Sequence, residues 1–256
     1  MKQYRAFAES LAQGAGAILR DFRGKPLHIE HKGAIDLVTE VDRASEAYLR
    51  RRIAETFPDH EILGEEEGLA KSGSPYRWIV DPLDGTTNYA HDFPYFCVSV
   101  ALAHEHRVIA GAVFNPVSCD LYSAARGEGA TLNGHPIHVS SVDQLAQSLL
   151  STGFPYDVIH KGTNVPHFEH FLYRCQAVRR AGSAALDLCM VASGRYDGFW
   201  EAGLSAWDVA AGSLMVEEAG GRMSNYRGGT FDLYEREMLA TNGSLHSAMM
   251  AVLAGE

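Results

Sequence analysis

The chain of 256 residues is 46% hydrophobic and 21% charged, a balance that excludes collagen-like, low-complexity and disordered chemistry and allows one large domain or two packed halves. With 22 basic against 32 acidic residues, its net charge of −10 argues against a surface built to neutralise nucleic-acid phosphates and leaves the acidity to serve cations. The longest apolar run, Phe93 to Ala103, contains Pro94 and Ser99 and falls short of a bilayer span, and Glu9 and Gln13 interrupt the only stretch that imitates a signal sequence. Cys97, Cys119, Cys175 and Cys189 stand far apart without a CxxC pair, so a cytoplasmic, reducing setting is expected.

In chain order, Phe7, Leu11, Ala15, Ile18, Leu19 and Phe22 recur at helical spacing up to Gly24 and Pro26. Thr39 opens a second helix with Asp42 in its first turn and Pro58 as its stop. Short strands at Ile62-Leu63 and Arg77 to Val80 both run into carboxylates, Glu65 and Asp81. Tyr95 to Ala103, Val108 to Asn115 and Leu121 to Ala125, punctuated by Gly, Asn and Pro, predict an antiparallel meander, making residues 1–145 an α+β half. Residues 146–256 alternate strand and helix: strands at 149–152, 177–179, 196–201, 222–224 and 238–241, and helices at 165–174, 183–193, 208–219 and 246–253, an α/β half.

The most informative segment is Asp81-Pro82-Leu83-Asp84-Gly85-Thr86-Thr87-Asn88. Its residue types suit an ordinary β-turn. They equally suit a site in which two carboxylates straddling the turn share hard cations and the Gly85 and Thr86 amides, opening a helix, face an anion. Glu65 at a strand end and Asp208 at a helix start each have a plain reading, as a solvated charge and as a helix cap. Together the four carboxylates would form a crowded anionic pocket that needs cations. The Gly14 to Gly16 stretch lies inside a helical pattern without a preceding strand, so a dinucleotide site is discarded, and the paired histidines lack a full zinc-ligand set.

The stretch Trp78 to Tyr89, with Gly64-Glu65-Glu66, Trp207-Asp208-Val209-Ala210-Ala211-Gly212, Asp36 to Asp42 and Gly182 to Asp187, resembles the inositol monophosphatase family in the right order along the whole chain. The resemblance implies a layered αβαβα phosphatase fold and Mg²⁺-dependent hydrolysis of an inositol or related polyol monophosphate, with two or three ions. It also implies a homodimer and sensitivity to Li⁺, while the acidic charge and the short apolar runs already argue against direct nucleic-acid and membrane binding. By the same resemblance Glu65, Asp81 and the Leu83 carbonyl hold one ion, and Asp81, Asp84 and Asp208 a second. Glu65, Thr86 and Asp42 then activate a metal-bound water for in-line attack. Leu83, Asp84, Gly85, Thr86, Arg179, the Gly182-Ser183-Ala184 turn, Glu201 and Asp208 contact substrate, and Lys32 lies near the ions. Fructose 1,6-bisphosphate, histidinol phosphate and 3′-phosphoadenosine 5′-phosphate are alternative substrates within the fold. A regulatory role through contact with the transcription machinery is the alternative of another class.

Overall fold

A computed structural model of the chain describes residues 1–25, 29–31, 37–155 and 164–255. The elements in order are α1 (Lys2–Phe22), β1 (Ile29–His31), β2 (Leu37–Thr39), α2 (Glu40–Thr56), β3 (Glu61–Gly64), β4 (Gly68–Ala70), β5 (Tyr76–Asp84), α3 (Thr86–Ala90), β6 (Cys97–His104), β7 (Arg107–Asn115), β8 (Asp120–Ala125), β9 (Ala130–Leu132) and β10 (His135–Pro136). There follow β11 (Leu149–Thr152), α4 (Val165–Leu172), β12 (Ala177–Arg179), α5 (Ala184–Ala192), β13 (Gly198–Ala202), α6 (Ala206–Glu218), β14 (Arg222–Ser224), β15 (Glu237–Thr241) and α7 (His246–Leu253). The helices and the long strands fall where periodicity places them. The short strands β1, β2, β4, β9 and β10 have no hydrophobic alternation and were not foreseen.

The strands form a two-stranded hairpin, an eight-stranded sheet in the order β10-β9-β8-β7-β6-β5-β3-β4, and a five-stranded sheet in the order β12-β11-β13-β15-β14. The large sheet is an antiparallel meander apart from its parallel β3–β5 pair. The small one is mixed, parallel through β12, β11 and β13 and antiparallel beyond.

Strand alternation assigns each face its own core. Trp78 and Val80 of β5, with Val98, Val100 and Leu102 of β6, pack under α1 and α2 with Leu11, Leu19, Leu49 and Ile53. Ile79, Cys97, Ala101 and Ala103 face the other way, onto Leu186, Leu188, Val209 and Leu214 of α5 and α6. Those two helices are hydrophobic nearly all round because they are sandwiched: their other side meets Phe199 of β13 and Met238 and Ala240 of β15. A third core of Leu150, Trp200 and Leu239 lies under α4 and α7 through Phe171 and Met249. The result is five layers, helix, sheet, helix, sheet, helix, as the αβαβα expectation has it. Among the described residues no helix is long and apolar enough to cross a membrane.

Candidate active site

Parallel pairing of β3 and β5 puts their carboxyl ends at one edge of the large sheet, so Glu65, which follows Gly64, and the Asp81 to Asp84 segment emerge side by side. Asp81 to Asp84 is not the turn that its composition suggests. β5 continues through it, and pairing with β6 shifts register between Asp81 and Asp84. Such an irregularity bends a strand and re-aims its side chains. Asp81 is buried, and its Oδ1 accepts the Leu83 N–H at 2.9 Å. Gly85 then adopts φ +94°, and a Cβ there would lie 3.0 Å from the Tyr95 carbonyl and 3.3 Å from that of Gly182, so only glycine fits.

Thr86 begins α3, and its Oγ1 lies 3.1 Å from both Asp42 Oδ1 and the Leu83 carbonyl. With one hydroxyl proton, it donates to one of them at a time. Asp42 sits at the third position of α2 in a capping box, its Oδ2 accepting the Thr39 N–H at 2.8 Å and the Thr39 hydroxyl at 2.6 Å. This leaves its Oδ1 facing Thr86.

The opposite wall comes from the later half of the chain. Ser205 and Asp208 form a second capping box at the start of α6, with Asp208 Oδ2 accepting the Ser205 N–H at 2.7 Å. Asp84 Oδ2 accepts the Ser183 hydroxyl at 2.7 Å and the Ala185 N–H at 2.8 Å, capping α5 from another element. The Asn88 amide donates to the carbonyls of Tyr95 at 2.7 Å and Ala181 at 2.9 Å, and the Tyr95 hydroxyl donates to Asp187 at 2.7 Å. Ser183, which lines the cleft, therefore also holds Asp84, a positioning role beyond the expected substrate contact.

Burial raises the pKa of Asp81 well above the ordinary carboxylate range, and Glu65, Asp84 and Asp208 raise it further. Asp84 is raised by burial against the Ser183 and Ala185 donors, and Asp208 is pushed up to about 7 by burial and then by Asp84. Glu201 is raised by burial and by Asp187, Asp208 and Asp84; Asp42 is raised by burial, although the Thr39 and Thr86 hydrogen bonds oppose the shift. Crowded carboxylates that resist ionisation are the environment a hard cation relieves. Among the described residues no three acidic, histidine or cysteine side chains close on one point as a complete metal-ligand set. An all-oxygen site of separated carboxylates and one carbonyl still fits Mg²⁺, which completes its shell with water and phosphate rather than with a protein cage.

Asp84, Gly85, Ser183, Ala184, Glu201 and Asp208 line one cleft of about 930 Å³, and Asn88, Asp187 and Arg180 line it too. Arg180, rather than the expected Arg179, faces this cleft; Arg179 ends β12 with its side chain exposed, and neighbours along an extended chain point to opposite sides. Lys32 lies outside the described residues. Tyr95 and the structural use of Asn88 and Ser183 escaped the sequence reading because their partners are distant in the chain. Asp208, expected as the cap of its helix, stands instead at the third position of a capping box whose cap is Ser205.

This architecture and site can be set beside known proteins. A profile of the inositol monophosphatase family matches residues 1–255. An inositol-1-monophosphatase of Synechocystis sp. is 45% identical over 257 residues, covering 99% of this chain and 90% of the relative. The Nus factor SuhB of Pseudomonas aeruginosa is 40% identical over 233 residues, covering 89% of this chain and 86% of the relative. The solved inositol monophosphatase of Anabaena (Nostoc) sp. PCC 7120 superposes with a TM-score of 0.91 at 42% identity, covering 99% of this chain and 96% of that one. With the layered fold, the acidic cleft and the full-length match in agreement, the chain belongs to the inositol monophosphatase family and is a phosphatase acting on phosphate monoesters.

Proposed function

We propose that the protein hydrolyses inositol monophosphate to inositol and phosphate in a Mg²⁺-dependent reaction without a covalent intermediate. The observation that carries this reading is that Asp84 and Asp208 line one cleft, with the buried Asp81 within their electrostatic influence and that of Glu65, while Thr86, two residues beyond Asp84, bonds to Asp42. Asp81, Asp84, Asp208, Glu65 and the Leu83 carbonyl would hold the ions. Bound Mg²⁺ would lower the pKa of water and offset the charge of the phosphate and leaving oxygens.

The chain's own residues supply the orientation. With its proton committed to Asp42, Thr86 presents a lone pair that accepts a hydrogen bond from the attacking water and turns its oxygen toward phosphorus. Glu65, which follows β3 and lies near enough to raise the Asp81 pKa, would serve as the proton acceptor. Across the cleft Glu201 and Asp187 would accept hydrogen bonds from the hydroxyl groups of the polyol, and Arg180 offsets their charge. A polyol suits this wall because it brings several donors.

The test is phosphate release from inositol 1-phosphate, fructose 1,6-bisphosphate, histidinol phosphate and 3′-phosphoadenosine 5′-phosphate, each with Mg²⁺ and with chelator. Inositol 1-phosphate is expected to be turned over fastest and only with the metal; the reading fails if it is the poorest substrate. Likeness to the Nus factor SuhB supports a second reading, regulation by contact with the transcription machinery. An Asp84→Asn variant that is inactive yet restores every phenotype of a deletion strain would favour it. The family resemblance also supports a homodimer and lithium inhibition, and the four separated cysteines without a CxxC pair support a cytoplasmic location. Sedimentation, Li⁺ titration and cell fractionation test these.

A further inference from the structure

Ion-binding carboxylates act only if held in place, and partners one layer out typically contribute about 10- to 100-fold to metal affinity or activity. Helix α2 carries an unusual buried polar face at the spacing i, i+3, i+4 and i+8: Asp42, Ser45, Glu46 and the partly buried Arg50. Asp42 holds Thr86. The Ser45 hydroxyl donates to the Pro82 carbonyl at 2.9 Å, inside the segment that carries Asp81 and Leu83.

Glu46 does the most. It is 1% exposed, and its carboxylate accepts the backbone N–H groups of Glu66 at 2.8 Å and Glu67 at 3.0 Å. Arg50 Nε donates to Glu46 at 2.7 Å, and Arg50 Nη2 donates to the Gly68 carbonyl at 2.6 Å. Gly64 makes room for this: a Cβ there would run into the Glu46 carboxylate and lie 2.9 Å from Arg50. Every backbone contact of the pair falls between residues 64 and 68, the turn whose second residue is Glu65.

We infer that Glu46 and Arg50 are positioning residues for the reaction, a buried clamp that fixes the Glu65 turn relative to the Asp81 strand and sets the metal affinity of the site. The inference rests on the reading of Glu65 as a metal-site residue. Because α2 grips the Thr86, Asp81 and Glu65 segments at once, it ties them to a single rigid body.

The test compares Glu46→Gln, which keeps shape but turns one acceptor oxygen into a donor, with Arg50→Lys and with Leu49→Ala. Leu49 is fully buried on the same helix and touches the core rather than the turn. Two readouts are needed: amide hydrogen exchange of Glu66 and Glu67 in metal-free protein, and Mg²⁺ half-saturation by calorimetry and by turnover. For Glu46→Gln, exchange at the two amides should speed up at least tenfold, and Mg²⁺ half-saturation should rise roughly 10-fold with turnover restored at high Mg²⁺. Arg50→Lys should shift both in the same direction, and it carries the test if Glu46→Gln does not fold. Leu49→Ala should lower thermal stability and leave half-saturation within about twofold. Equal shifts in Leu49→Ala and Glu46→Gln, unchanged half-saturation in both clamp variants, or unchanged exchange would overturn the inference. If the wild-type enzyme proved indifferent to Mg²⁺, the functional reading would fail while the exchange result stood by itself.

Discussion

Removing the Thr86 hydroxyl as Thr86→Val, with Thr86→Ser as the conservative partner, separates catalysis from architecture. Thr86 is 6% exposed and Asp42 1% exposed, so in the valine variant no water easily replaces the lost donor to Asp42 Oδ1. An acceptor left unpaired in such a place costs about 1–3 kcal/mol. For a chain of this size that corresponds to a fall in melting temperature of roughly 2 to 12 °C. The hydrogen bond from Thr86 lowers the Asp42 pKa against the raising effect of burial, so its loss raises the pKa further. A proton taken up by Asp42 then relieves the unpaired charge, and the stability deficit of Thr86→Val should shrink as pH falls. Turnover should drop by about 10²- to 10⁴-fold, the usual worth of general-base catalysis on a well-oriented water, with Mg²⁺ half-saturation little changed. Thr86→Ser should retain most activity. The assays are steady-state phosphate release across a Mg²⁺ series and thermal melts from pH 5 to 8. Thr86→Val turning over within threefold of wild type, or serine and valine variants behaving alike, would refute the reasoning.

Asp81→Asn should abolish turnover and weaken Mg²⁺ binding measured by calorimetry, because the carboxylate lies within the influence of Glu65, Asp84 and Asp208; a normal titration would remove Asp81 from the metal site. Ser183→Ala should raise Mg²⁺ half-saturation and leave the substrate KM nearly unchanged, since the hydroxyl serves Asp84; a KM effect alone would return Ser183 to the substrate. In metal-free protein the folded pKa values of Asp81, Asp84 and Asp208 are raised above the unfolded ones, so their stabilising contribution is full below the unfolded value of 3.8. It is lost as pH rises, the Asp208 part around pH 7. Thermal melts should therefore show apo stability falling toward pH 8 and a Mg²⁺-induced gain that is larger at pH 8 than at pH 6. An apo melt that rises over this range would contradict the shifts.

The legible parts of the molecule are those written locally. The helical spacing from Phe7 to Phe22, the helix start at Thr39 and the β-rich apolar runs of β6 and β7 each follow from a few neighbouring residues. The four carboxylates were readable as strand-end and helix-start acids, and the motif resemblance supplied their grouping. What stayed hidden depends on residues far apart in the chain: Asp84 capping α5 across 101 positions to Ala185, Asn88 bonding the carbonyl of Ala181, and Arg180 rather than Arg179 turned to the cleft. The bulge in β5 was hidden for another reason. Pro82 and Gly85 also satisfy a turn, and only pairing with β6 chooses between them.

Asp42, Asp84 and Asp208 each give one carboxylate oxygen to the start of a helix. An alanine at any of these positions would uncap that helix as well as empty the site, so loss of activity and loss of solubility would arrive together and a dead enzyme would be mistaken for a misfolded one. Asparagine keeps an acceptor for the cap while removing the charge. For genetics in living cells, the amide variants are thus the informative alleles, since they silence chemistry while leaving the protein present in normal amount.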